Sequence, residues 1–143
     1  MKKQHPSLHW SKALAEDINT SLDDGPLSLS LLKVLLDNSF DSILVTDTKS
    51  VILYANEAFK TLTGYDPAEV IGKTPQILQG DATDKKTLGR LASALQSGDK
   101  FEGRAINYRK DGTAFIMHWR VLPVNTGDGD GVWVAIQRKG STI

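Results

Sequence analysis

Apolar positions recur at two different periods along this chain. From Ser7 to about Leu22, Trp10, Leu14, Ile18 and Leu22 return every four residues, while Glu16, Asp17 and Asp23 lie off that stripe. This spacing predicts an amphipathic helix, which Asp24-Gly25-Pro26 stops. A second short helix should follow, with Ser28 or Ser30 as N-cap and Leu31, Leu32, Leu35 and Leu36 on its apolar side. Both belong to a helical N-terminal cap over residues 1–34, ahead of one domain over residues 35–143.

From Asp41 the period shortens to two. Ser42 to Thr46 and Val51 to Ala55 read as strands around the turn Asp47-Thr48-Lys49-Ser50. Asn56 should cap a short helix, Glu57 to Leu62, that closes at Gly64. Asp66-Pro67-Ala68-Glu69 opens another, about one turn long, that stops at Gly72. Thr83 or Asp84 then caps a longer helix, Lys85 to Gln96, with Leu88, Leu91, Ala92 and Leu95 on one face. Phe101 to Arg109 and Thr113 to Val124 flank Lys110-Asp111-Gly112, where Asp-Gly supplies the positive φ values of a tight turn. Gly131 to Arg138 is the last strand and alternates Val132, Val134 and Ile136 against Trp133, Ala135 and Gln137. Two strands, several short helices and three strands fit an α+β fold: a five-stranded antiparallel sheet with helices crossing one face. The N-terminal helices could cover the other face.

Composition removes many functions. The 17 basic and 17 acidic residues balance, so nothing points to nucleic acid or an anionic membrane. The chain has no cysteine. That excludes disulfides, thiolate nucleophiles, cysteine-ligated zinc, iron–sulfur clusters and any cysteinyl adduct. Met1-Lys2-Lys3 is followed by Gln4, His5 and Pro6 and does not read as a signal peptide. The run Leu29 to Leu36 is broken by Ser30 and Lys33 and is too short to span a bilayer. The cytosol is the expected compartment. His5 and His9 are spaced i, i+4, but Pro6 stands between them and no third ligand is evident. Asn125 to Gly131 lacks the ligand spacing of a calcium loop and reads as a hairpin loop. No nucleophile–base pattern or phosphate-binding glycine loop is present, so no enzyme activity is expected.

The order of motifs resembles a PAS domain: "DSILVTDTKSVILYANEAFKTLTGYDPAEVIGKTPQILQG", then "INYRKDGTAF", over about residues 35 to 139. Within that family "LQG" at 78–80, "NYRKDGTAF" at 107–115 and "AIQ" at 135–137 are similar to the LOV branch, the flavin-binding blue-light sensors. The resemblance implies a planar ligand, a flavin such as FMN, FAD or riboflavin, with Gln79, Asn107 and Gln137 at the ring edge. Where LOV domains carry Asn, the adduct Cys and a phosphate-binding Arg, this chain has Thr74, Pro75 and Gln76. Met117 stands at a second ring-amide position. Ala92 stands at the second arginine position, with Arg90 two residues away and off that face. Adduct photochemistry is therefore excluded.

Three functions follow as expectations. The first is a non-catalytic PAS sensor or interaction module in signal transduction, with no cofactor required. The second is a cysteine-less LOV-like flavoprotein. The third is a dimerisation adaptor whose pocket is filled by Ile77, Leu78 and Met117. With the last strand ending close to Ile143, signalling is expected through the N-terminal helices, a homodimer and a separate signalling protein, unless the chain is a piece of a larger sensor.

Overall fold

The structure, a computed structural model, describes residues 26–127 and 129–141. The helix expected over 7–22 and the His5/His9 pair lie outside the described residues. Helix α1 spans Pro26–Asn38. It begins before Ser28 and Ser30, so neither serine is its cap. Proline suits a first helical turn because the N–H it lacks would have no partner there. Lys33 and Asp37 pair across one turn at 2.9 Å. Leu29, Leu32, Val34 and Leu35 are exposed. The chain divides into two compact units between Asn38 and Ser39.

The second unit is built on five antiparallel strands: β1 Ser42–Thr46, β2 Ile52–Ala55, β3 Phe101–Tyr108, β4 Ala114–Val124 and β5 Val132–Lys139. Their order is β2-β1-β5-β4-β3. The last strand in the chain is thus central, and β2 and β3 are the edges. Between β2 and β3 run α2 Glu57–Thr63, α3 Pro67–Val70, a 3-10 turn Pro75–Leu78 and α4 Lys85–Ser97. Alternation along the strands places Ser42, Leu44, Ala105, Met117, Val121 and Gln137 on the buried face. Phe59, Val70 and Leu78 close the core from the helical side, each 1% exposed or less.

Asn56 is the joint between helix and sheet. Its Oδ1 accepts from Phe59 N at 3.3 Å as the α2 cap, and from Ile43 N at 2.8 Å. Its Nδ2 donates to Asp41 O at 3.1 Å. One buried amide therefore sets where α2 starts and where β1 begins. Gly64, at φ 81°, ends α2 in the left-handed region that glycine enters without a Cβ penalty.

Asp66 caps α3, and Glu69 completes a capping box with it. Glu69 also binds Lys110 at 2.8 Å. The hydrogen bond from Lys110, followed by that from the Asp66 backbone, holds the Glu69 carboxyl below its ordinary value. The β3–β4 hairpin is anchored to the end of α2 as well, by Lys110 N on Thr63 O at 2.9 Å and Arg109 Nε on Leu62 O at 3.2 Å.

Replacing Asn56 with Ala should cost about 2–4 kcal/mol, the sum of a lost cap and two part-buried backbone groups left without their partner. Urea denaturation of both proteins measures it, and a loss below about 1 kcal/mol would mean that Asn56 is not the joint.

Candidate functional site

The segment from Gly72 to Thr83 reaches from one edge of the sheet to the other. At its start, Gly72 N donates to Ile52 O at 2.9 Å and Ile52 N donates to Lys73 O at 2.7 Å, on edge strand β2. At its end, Thr83 Oγ1 donates to Ile106 O at 2.7 Å and Ala82 N donates to Tyr108 Oη at 2.9 Å, on edge strand β3. Gly80 lies against the Tyr108 ring so closely that a Cβ would overlap it. Between these anchors Pro75 opens the 3-10 turn, and Gln79 leaves it in extended conformation.

Under this arch lies a cavity of about 490 Å³. Its floor is the inner sheet face: Leu44 and Thr46 of β1, Trp119 and Val121 of β4, and Trp133, Ala135 and Gln137 of β5. Its roof is Thr74, Pro75, Gln76 and Gln79 with Leu88, Leu91, Ala92 and Leu95 of α4. Lys49 and Ser50 of the β1–β2 turn complete it. Lys49, Gln76 and Ala92 are exposed and mark the mouth. Leu88, Leu91 and Leu95 are half-buried: all three line this space, and Leu91 and Leu95 also pack against the core.

Gln137 has the most defined environment. It sits opposite both Ser42 and Trp119 in the sheet register. The buried Ser42 hydroxyl donates to Gln137 Oε1 at 2.9 Å. The Gln137 amide nitrogen has no protein partner among the described residues, and none of their fully buried side-chain polar atoms lacks one. The nitrogen is therefore accessible, and it faces the cavity as a free donor.

Four of the six residues singled out by sequence thus line the cavity together: Thr74, Gln76, Gln79 and Gln137. Asn107 and Met117 share the inner sheet face and are buried, but stand outside the cavity lining. Asn107 makes one long contact, from Nδ2 to Ala105 O at 3.4 Å. Leu78 and Met117 are buried in the core and leave the cavity open. Arg90 lies over the Phe101 ring at 5.4 Å and not on the cavity. His118 pairs with Glu102 at 2.7 Å.

Sequence reading missed Ser42, Lys49, Trp119 and Trp133 as lining or positioning residues. Ser42 shares strand parity with the buried Leu44, which could have flagged it. Lys49 gave no signal, because a turn residue reaches a cavity only through the tertiary fold. Among the described residues no group of three metal-ligating side chains occurs, and no helix is long and apolar enough to cross a membrane.

This sheet order, with short helices arched over a cavity on one face, is that of a sensor-domain fold, and residues 41–138 match the PAS domain family, to which the chain belongs. Phototropins and blue-light-activated histidine kinases are among its relatives, and solved LOV domains are among its structural neighbours. Phototropin-2 of Oryza sativa subsp. japonica is 37% identical over 112 residues, 76% of this chain and 12% of the phototropin. The chain therefore spans only a small part of the curated relatives it matches. The LOV domain of the Erythrobacter litoralis EL346 blue-light activated histidine kinase superposes with TM-score 0.66 and 31% identity, covering 71% of this chain and 97% of that domain. The structure described as "Flavin Analogue Sheds Light on Light-Oxygen-Voltage Domain Mechanism" gives TM-score 0.70 and 32% identity, over 78% of this chain and 85% of that one. This chain carries the LOV-like frame without the adduct cysteine.

Two glycines should respond with opposite signs. Gly80→Ala forces a Cβ into the Tyr108 ring and should destabilise by about 1–3 kcal/mol. Gly89→Ala, in α4 with open space around it, should stabilise by up to about 1 kcal/mol. Thermal melts of the two variants check both signs.

Proposed function

We propose that this chain is the sensory module of a signalling protein, without catalytic activity of its own, and that its cavity takes a small planar ligand. The observation that carries this reading is the Gln137 amide nitrogen, held by Ser42 through its own carbonyl and facing an open cavity between Trp119 and Trp133. Such a site offers apolar faces to a ring and a fixed donor to its edge. The three half-buried leucines of α4 would gain apolar contact when the space fills. Catalysis has little support, since among the described residues Lys49 is the only charged one in the cavity lining.

A flavin is the ligand class that the relatives support. Gln79 and Gln137 would hold the ring edge, Thr74 and Gln76 would flank it, and Asn107 and Met117 would back it from the same sheet face. A bound flavin would supply absorption of blue light and reversible redox chemistry. With Pro75 where the adduct thiol would stand, the protein's part is limited to binding, orienting and hydrogen-bonding.

The ligand-free protein should show a raised melting temperature with riboflavin, FMN, FAD or a related planar heterocycle, or be purified with a flavin's blue absorption band. A colourless protein whose melting temperature no such compound raises would overturn the ligand reading.

The signal would leave through the N-terminal helices, a homodimer and a separate signalling protein. Leu29, Leu32 and Leu35 are apolar and exposed on α1, which suits a two-fold contact between copies. Light scattering should report a dimer, and Leu29→Glu with Leu32→Glu should give a monomer with an intact fold. A monomeric unaltered protein at tens of micromolar would sink this route.

A further inference from the structure

The cavity suits the ring of a flavin but not its phosphate. We infer that its ligand is an uncharged planar heterocycle, riboflavin-like or lumichrome-like, and that the site gives no advantage to FMN or FAD. This rests on reading the cavity as a ligand site and goes further by naming the charge of what it takes.

The cation inventory decides the matter. Among the described lining residues the only cation is Lys49, exposed on a turn at the mouth. Gln76 and Ala92, also at the mouth, are neutral. The two arginines flanking the region are engaged elsewhere. Arg90 lies over Phe101, and Arg109 lies 4.6 Å from the centre of the Phe115 ring while bonding Leu62 O.

A helix N-terminus could have replaced an arginine. The start of α4 is already closed by its own Asp84 carboxylate, which accepts from Lys86 N and Thr87 N. A phosphate dianion inside would face the leucines of α4 without a counter-charge, a costly arrangement. At the mouth it would meet one solvated lysine, and exposed ion pairs contribute little. The ring itself meets the opposite environment: two tryptophans, apolar floor residues and the amides of Gln79 and Gln137.

The test titrates the ligand-free full chain with riboflavin, lumichrome and FMN, reading flavin fluorescence and heat of binding. Riboflavin should bind at least as tightly as FMN. Ala92→Arg should then improve FMN about tenfold while leaving riboflavin within about twofold, since it adds a charge-assisted phosphate contact at the mouth. Ala92→Lys is the second variant, read the same way, if the first does not fold. FMN binding to the unaltered chain more than about threefold tighter than riboflavin would overturn the inference and leave the ligand reading standing. A folded arginine variant that gives FMN no gain would overturn it equally. If no flavin ring binds at all, the ligand reading falls and the inference with it.

Discussion

The arch from Gly72 to Thr83 can exist only because both edges of the sheet hold it. An edge strand presents backbone groups that have no neighbour, and such groups must be met or left to solvent. Here β2 and β3 spend them on one connecting segment, through Ile52 at one end and Ile106 at the other. The same bonds blunt the edges and suspend a roof over the inner face. The cavity is a consequence of that geometry, since a segment pinned at both margins cannot collapse onto the floor between them.

The floor depends in turn on the central position of β5. Because the last strand inserts between β1 and β4, Gln137 meets Ser42 on one side and Trp119 on the other. The inner face carries the Ser42–Gln137 bond, and the outer face carries Arg138 on Asp41 at 2.7 Å. Residues 41 and 42 are thus clasped to β5 from both faces, next to the Asn56 contact on Asp41 O. The point where the chain enters the sheet is in direct contact with the cavity's best-defined polar group.

Local chemistry made most of the fold legible. Asn56, Asp66 and Asp84 cap where their side chains suggest, Gly64 and Gly98 end their helices in the left-handed region, and the β3–β4 hairpin turns at Lys110-Asp111-Gly112, with positive φ at Gly112 but not, as expected, at Asp111 as well. These signals act over three or four residues and need no tertiary partner. The start of α1 differed because two serines competed as caps with a proline that fits the first turn better. The site was legible only in part. Thr74, Gln76, Gln79 and Gln137 belong to recognisable motifs, whereas Trp119, Trp133 and Lys49 come from three separate elements with no shared pattern.

The sequence by itself settled the order of the strands along the chain, most caps and turns, and the exclusion of thiol chemistry, because each depends on residue identity at neighbouring positions or on composition. Tertiary structure decided which amide faces the cavity, which arginines are spent on aromatic rings and what surrounds the mouth. Those outcomes depend on strands far apart in the chain meeting in one register, as Ser42 and Gln137 do. No local period encodes such a meeting.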